Sequence, residues 1–123
     1  MDLTMLVGVI DCKTGLIELV NAGHEDPLIV HEDGTVSVFA MHGGFRLRTI
    51  PHFAYEVETL QLQQGDTLVV ITDGATDASN AKEERFGLER VVDALKKQGN
   101  SAASDRARSL AKQIRAFEKG TEP

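Results

Sequence analysis

Residues 65–77 read Gly-Asp-Thr-Leu-Val-Val-Ile-Thr-Asp-Gly-Ala-Thr-Asp. Four consecutive aliphatic residues at 68–71 predict a strand that is buried on both faces. The apolar run then stops, which places Asp73, followed by Gly74, just after the end of a strand that is predicted to be buried. Mg²⁺ and Mn²⁺ take oxygen ligands, and a glycine lets a ligand come close, so the pattern is compatible with a divalent metal site. The alternative is a strand followed by an ordinary Asp-Gly turn.

A second strand is also followed by polar residues. The apolar run 16–20 ends in Asn21, Ala22, Gly23 and His24 before the chain resumes an apolar run at 27–30. We expect Asn21 to hold this turn through side-chain-to-backbone hydrogen bonds. His24 has two interpretations: a proton donor to a leaving alkoxide, since imidazole titrates near neutral pH, or a histidine hydrogen-bonded to backbone at a strand end.

Five short motifs follow one another along the chain. They are Val-Gly-Val-Ile-Asp at 7–11, Val-Asn-Ala-Gly-His at 20–24, Gly-Asp-Thr-Leu at 65–68, Thr-Asp-Gly-Ala-Thr-Asp-Ala at 72–78 and Phe-Gly-Leu-Glu-Arg at 86–90. In this order they resemble the bacterial PPM-type (PP2C-like) serine/threonine phosphatases of the SpoIIE and RsbU kind. The resemblance extends over nearly the whole chain, and the ordered set is far more specific than any single motif.

The resemblance implies a metal-dependent hydrolysis of phosphoserine or phosphothreonine at a centre of two Mn²⁺ or Mg²⁺ ions, without a covalent enzyme intermediate. The implied substrate is a regulatory phosphoprotein of the anti-sigma-factor antagonist type. Metal binding falls to Asp73 and Gly74, and the candidate catalytic residue is His24. Three further residues would lie around the metal ions or on the substrate side: Asn21, Gly23 and Asp77.

Two metal-binding motifs of the family have no counterpart here. Family members carry an early Gly-Asp-aromatic motif and a final Asp-Asp motif, and neither stands at its expected place in residues 1–123. We therefore expect a partial phosphatase domain over 1–123, and Asp73 alone cannot hold a two-metal centre. Two functions stay open: a fragment of an active phosphatase domain, or an inactive phosphatase-like module that acts through protein contacts.

Composition narrows the class of protein further. The chain has 123 residues, of which 41% are hydrophobic, and this predicts a folded domain with a real core. Its net charge of −6 argues against a nucleic-acid surface, and no apolar run or leader pattern predicts a membrane segment or a signal peptide. The single cysteine, Cys12, cannot form an internal disulfide, so we expect a reducing cytoplasm and a bystander thiol.

The first half of the chain is rich in predicted strands. Apolar runs at 3–10 and 16–20 predict one antiparallel hairpin, and runs at 28–31 and 35–39 around an Asp-Gly turn predict another. We expect a loop at 41–51. A strand at 55–62 with a bulge near 58–59 follows, before the central strand at 67–72.

Helical periodicity appears only in the last third. Apolar residues recur at helical spacing within 88–95 and within 103–117. We expect Gly99 to end the first helix, Asn100 or Ser101 to cap the second, and Gly120 to follow its end. Strands followed by helices predict an α+β fold: antiparallel β-sheet layers with two C-terminal helices packed on one face, as a partial α-β-β-α sandwich.

Two surface predictions complete the interpretation. We expect a homodimer, because an incomplete sandwich would leave uncovered an apolar sheet face formed by Leu6, Val9, Val20 and Val69. The remaining histidines have no carboxylate at ligand spacing, and we expect them to be solvated loop residues: His31, His42 and His52.

Overall fold

The computed structural model describes residues 4–41, 54–98 and 102–120. Within these residues the strands are β1 (Met5–Ile10), β2 (Leu16–Ala22), β3 (Leu28–Val30), β4 (Val36–Val38), β5 (Glu58–Gln61) and β6 (Thr67–Val69). The helices are α1 (Asp73–Thr76), α2 (Gly87–Lys97) and α3 (Ala103–Lys119). The predicted loop at 41–51 lies almost wholly outside the described residues, as do His42 and His52.

The first sheet has the strand order β1-β2-β5 and is antiparallel throughout. The predicted first hairpin is confirmed, with a turn in which Gly15 has a φ of +78° and the carboxylate of Asp11 accepts the backbone N–H of Lys13 at 2.9 Å. The pairing of β2 with β5 runs in unbroken register from Leu19 opposite Glu58 onward. The predicted bulge near 58–59 is therefore wrong, because β5 begins only at Glu58 and the residues before it are not in the strand.

The second sheet has the strand order β4-β3-β6, also antiparallel, and it contains the predicted second hairpin. The 68–71 run is not buried on both faces: β6 is short and half-buried, and Val70 is 49% exposed. The reason is position, since β6 is an edge strand of this sheet and pairs only with β3 within the described residues. Ile71 alone of the run is fully buried.

The two faces of the second sheet pack against different layers. Ile29 points toward the first sheet and joins an inter-sheet core with Ile17, Leu19 and Leu60. Its neighbours on β3 face the opposite way and build the larger core with both long helices, in a cluster that includes Leu28, Val30, Val91, Leu95 and Phe117. The layers are thus first sheet, second sheet and helices, which confirms the α+β prediction with the two C-terminal helices on one face.

The long helices match their predicted stripes. α3 begins after Ala102, which holds the N-cap position in place of the expected Asn100 or Ser101. It ends at Gly120, whose φ of +74° and backbone N–H bond to Phe117 confirm the predicted C-terminal stop. The predicted stop of α2 at Gly99 lies outside the described residues.

One face of the first sheet is open. We call it the outer face, and its side chains alternate with those of the inter-sheet core: Met5, Val7, Val9, Leu16 and Val20. The predicted grouping of Leu6, Val9, Val20 and Val69 on one face is wrong. Leu6 packs into the inter-sheet core and Val69 packs on the helix side, because residues of opposite parity, or on different sheets, face different layers.

Candidate metal centre

Asn21 shapes the turn that follows β2. Its side-chain carbonyl accepts the backbone N–H of His24 at 2.7 Å, and its amide donates to the backbone carbonyl of His24 at 3.0 Å and to Asp26 Oδ1 at 3.3 Å. Gly23 has a φ of +75°, where a side chain would be strained. The two bonds to the backbone of His24 are side-chain-to-backbone bonds of the kind that the sequence predicts for Asn21. They fix the direction in which residues 23–25 leave the strand.

The turn after β6 is a single turn of helix, α1. The backbone N–H of Ala75 bonds to the carbonyl of Thr72 at 3.0 Å, and that of Asp77 bonds to the carbonyl of Asp73 at 2.8 Å. Gly74 has no positive φ, so the turn does not depend on its conformational freedom. A Cβ placed on Gly74 would meet only Thr72 Oγ1, at 3.3 Å, so the glycine keeps open the space beside Asp73.

The two turns meet and enclose a small pocket of about 230 Å³. Its lining combines both predicted segments with one residue of the first strand region: Thr4, Gly23, His24, Glu25, Thr72, Asp73 and Gly74. The structure therefore brings His24 and Gly23 to the same place as Asp73 and Gly74, although their segments are distant in the chain. Asn21 does not line the pocket, but its hydrogen bonds hold the turn that carries His24. Asp77 does not line the pocket either.

Glu25 is the site residue that the sequence analysis missed. A hydrogen bond with the carboxylate of Asp73 raises the pKa of Glu25, and partial burial and the negative charges of Asp73 and Asp77 act in the same direction, while His24 opposes them. Two carboxyl groups this close favour a shared proton or a shared cation over two bare charges. No motif marks Glu25; the only signal in the sequence is its place in the same turn as His24.

His24 and Asp77 are held differently from the carboxylate pair. His24 is half-buried, and its Nδ1 lies 3.1 Å from the backbone carbonyl of Glu25, which leaves Nε2 as the other polar atom of the ring. The carboxylate of Asp77 lies 3.6 Å from Arg85 Nη1, and both side chains are well exposed. Such exposed pairs add little to stability.

The donor set partly suits a divalent ion. The pocket offers carboxylate oxygens from Asp73 and Glu25, which are the ligands that Mg²⁺ and Mn²⁺ prefer. Among residues 4–41, 54–98 and 102–120 there is no group of three or more His, Cys, Asp or Glu side chains that could hold a metal ion. Asp73 and Glu25 thus bring carboxylate oxygens to one pocket, without a complete set of metal ligands among the described residues.

Sequence comparison decides the family. Residues 1–122 match the family described as Stage II sporulation protein E (SpoIIE). The chain belongs to this family of PP2C-like phosphatase domains. Protein IcfG of Synechocystis sp. is 32% identical over 92 residues, which are 75% of this chain and 14% of IcfG.

Solved structures agree in fold. The RsbU and RsbW domains of Rv1364c from Mycobacterium tuberculosis match with a TM-score of 0.77 and 24% identity, over 93% of this chain and 32% of that one. The phosphatase domain of the cell fate determinant SpoIIE from Bacillus subtilis, presoaked with Mn, matches with a TM-score of 0.62 and 19% identity, over 95% and 50% of the two chains. The chain thus spans half or less of each of these relatives.

No helix in the described residues has the length and apolar character needed to cross a bilayer.

Proposed function

We propose that this chain is part of a metal-dependent protein serine/threonine phosphatase domain, and that the pocket between the ends of β2 and β6 is its share of the active site. The observation that carries the proposal is the convergence of two carboxyl groups, Glu25 and Asp73, beside His24 in one pocket. Membership of the SpoIIE family supports the same reaction class.

Each residue has a distinct part in this proposal. Asp73 and Glu25 would hold Mn²⁺ or Mg²⁺ through carboxylate oxygens, and Gly74 leaves room for a phosphate oxygen to approach. The bound ion would polarise the phosphoryl group and lower the pKa of a water molecule. His24 Nε2 would carry the proton that the leaving alkoxide takes, since Nδ1 faces the backbone carbonyl of Glu25. Asn21 positions this turn and touches no reacting atom.

The substrate that we propose is a regulatory phosphoprotein of the anti-sigma-factor antagonist type, acting in a partner-switching pathway in the cytoplasm. One structural neighbour combines RsbU and RsbW domains in a single chain, which supports a partner-switching context. The free thiol of Cys12 is exposed, and this agrees with a reducing compartment.

Metal binding by the 123-residue chain tests the site directly. We expect weak Mn²⁺ binding by isothermal titration calorimetry, and its loss in both Asp73→Asn and Glu25→Gln. Asp93→Asn, an exposed carboxylate on α2, is the matched control and should bind as the wild type does. Equal Mn²⁺ binding by all four proteins would overturn the assignment of the pocket.

Catalysis is tested in two steps. The 123-residue chain should hydrolyse p-nitrophenyl phosphate very slowly, because its described residues supply too few metal ligands. In a longer natural chain that includes this segment, Asp73→Asn should lower Mn²⁺-dependent turnover by about 100-fold while leaving the fold intact. Undiminished turnover in that variant would contradict the proposal.

A second candidate function is a module that acts through protein contacts, with a second copy of the chain as the partner. The outer face favours it, because Val7 and Val9 are 48% and 69% exposed there and Met5 and Leu16 stand beside them. The net charge of −6 opposes association of two copies, so a homodimer on this face should strengthen as salt rises. Sedimentation velocity at low and high salt checks this; a monomer under both conditions would exclude it.

A further inference from the structure

Away from the pocket around Asp73, the imidazole of His31 is hydrogen-bonded to a carboxylate on one side and to a hydroxyl on the other. Its Nδ1 lies 3.2 Å from Asp66 Oδ1, and its Nε2 lies 3.0 Å from Ser37 Oγ. The prediction that His31 is a solvated loop residue is wrong in this respect, since Asp66 is 35 positions away in sequence and no spacing pattern reveals the contact. None of the three residues lines the pocket around Asp73.

The second sheet builds this arrangement. His31 directly follows β3, Ser37 is the middle residue of the edge strand β4, and Asp66 directly precedes β6. The register places Ser37 opposite Ile29, and Ile29 opposite Leu68, so His31 and Asp66 continue on the face that Ile29 presents. The three side chains therefore lie on one face of the sheet, at the end of β3, in the middle of β4 and at the start of β6.

Asp66 is held in place by its turn. Its side chain is only 7% exposed, and its second oxygen, Oδ2, accepts the backbone N–H of Gln63 at 2.9 Å. Because Oδ2 of this buried carboxylate accepts a backbone hydrogen bond, the orientation of the carboxylate is set and Oδ1 faces His31. This fixes both the position and the orientation of the imidazole.

The hydrogen-bond roles follow from the chemistry of the groups. A carboxylate only accepts, so neutral His31 must carry its proton on Nδ1 and donate it to Asp66. Nε2 is then an acceptor, and the hydroxyl of Ser37 donates to it. A hydroxyl that donates to an imidazole whose far side is held by a carboxylate is the arrangement that activates a serine nucleophile.

We propose that Ser37 is a nucleophile activated by His31 and Asp66, and that this second site accepts acyl groups from activated carboxylic esters. Ser37 Oγ forms a bond to the carbonyl carbon while its proton passes to His31 Nε2; the bond to the leaving alkoxide or phenoxide then breaks, and Nε2 gives that proton to the leaving oxygen. Water next attacks the acyl-serine while Nε2 takes one of its protons, the bond between Oγ and the acyl carbon breaks, and Nε2 returns the proton to Ser37 Oγ as the carboxylic acid leaves. Asp66 is a positioning residue that keeps Nε2 in its acceptor form.

Access to the serine is open. Ser37 is exposed on a strand that has no further neighbour among the described residues, and the His31 side chain is 38% exposed. A small ester can therefore reach Oγ without displacing the core. If the three residues served only to tie β4 and β6 to β3, Ser37 would react no faster than any other exposed serine.

Acylation by p-nitrophenyl acetate tests the proposal. The reaction is run on the 123-residue chain with a chelator present, so that the metal pocket contributes nothing and the outcome is independent of it. We expect a burst of nitrophenolate, one acetyl group on the protein by intact mass, and peptide mapping that places it on Ser37. The Ser37→Ala variant should lose the burst, whereas Ser104→Ala, which removes an exposed serine on α3, should keep it.

Two further variants separate activation from support of the fold. His31→Gln and Asp66→Asn should each slow acylation of Ser37 by about 10-fold or more, because general-base assistance is lost or misdirected. The pH profile of the acylation rate should differ between the wild type and His31→Gln, because only the wild type carries the imidazole base. Circular dichroism reports whether each variant is folded. No burst in the wild type, or equal labelling of wild type and Ser37→Ala, overturns the proposal.

Discussion

The two sheets differ in how much of their surface is covered. The second sheet has the first sheet on one side and α2 and α3 on the other, and the helix side holds the most deeply buried side chains of the described residues. The first sheet has one buried face, and its outer face leaves Val9 69% exposed. The central strand β3 of the second sheet therefore stabilises the fold through both faces, whereas β2, the central strand of the first sheet, buries apolar side chains mainly on one face.

Aromatic packing around Phe117 stabilises the helix side of the second sheet. The ring of Phe117 is fully buried, meets Phe86 edge to face with centroids 5.4 Å apart, and has the guanidinium of Arg90 4.4 Å from its centroid. Arg90 also donates to the backbone carbonyls of Arg85 and Phe86, at 2.8 and 3.2 Å. These contacts join α2, α3 and Phe86 to one another, within the same core cluster as Leu28 and Val30 of the second sheet.

The largest effect is expected at Phe117. Phe117→Ala should lower the free energy of unfolding by about 3–5 kcal/mol, since it removes a fully buried ring and leaves a cavity between two helices. Urea denaturation followed by circular dichroism measures the loss.

Val7→Ala on the outer face is the matched control. Val7 is 48% exposed, so the free energy of unfolding should change by less than about 1 kcal/mol. Equal losses in the two variants would mean that the outer face is covered in solution, and the comparison of the two sheets would then fail.

A smaller loss is expected where β2 ends. Asn21 is 3% exposed and makes three hydrogen bonds inside its turn, so Asn21→Ala should cost about 1–3 kcal/mol by leaving buried groups unpaired. Asn80 makes comparable side-chain bonds to the backbone of Lys82 and Glu84, but in an exposed turn. Asn80→Ala should cost less, because water replaces the lost partners. Thermal melting of the two variants tests this ranking, and a larger loss in Asn80→Ala would contradict it.

Local patterns predicted the elements that depend on local chemistry. Both hairpins and both long helices follow from turn residues and apolar spacing, which act within a few residues of one another. The burial of the 68–71 run was predicted wrongly, because burial of a strand depends on which neighbours pair with it. An aliphatic run looks the same in the sequence whether it lies at the centre or at the edge of a sheet.

In the candidate site, too, local motifs indicated some residues, whereas contacts between distant segments could not be predicted. Motif order pointed to His24 and Asp73, and the structure places both at one pocket, although their roles stay predictions. Glu25 and the contact of His31 with Asp66 were missed, because each arises where two segments distant in the chain meet. Only the register of the second sheet brings the latter pair together.

A modest effect with a defined pH dependence is expected at Glu25. Its pKa is raised above the ordinary value of 4.5, so the folded state resists its ionisation and the wild type loses stability as pH rises through and above that value. Without metal at pH 7, Glu25→Gln should therefore raise Tm by about 1–2 °C, and the difference should vanish below about pH 4. Glu118→Gln, on the exposed side of α3, should show no such trend, and an unchanged or lower Tm in Glu25→Gln would contradict the repulsion between Glu25 and Asp73.

The smallest change in stability is expected at Val9. A substitution there tests whether the outer face of the first sheet is exposed in the folded chain. Val9 lies opposite Glu18 across the β1–β2 pair on the outer face, so a lysine at this position would face a carboxylate of opposite charge. Val9→Lys should change the free energy of unfolding by no more than about 0.5 kcal/mol, because little apolar area is lost and a cross-strand charge pair is gained. The same change places a charge in the middle of the apolar outer face and should abolish any association between two copies. Denaturation measures the free energy of unfolding of this variant, and sedimentation velocity measures its association. A loss of several kcal/mol would show that Val9 is covered within the folded chain, and the outer face would then belong to the core.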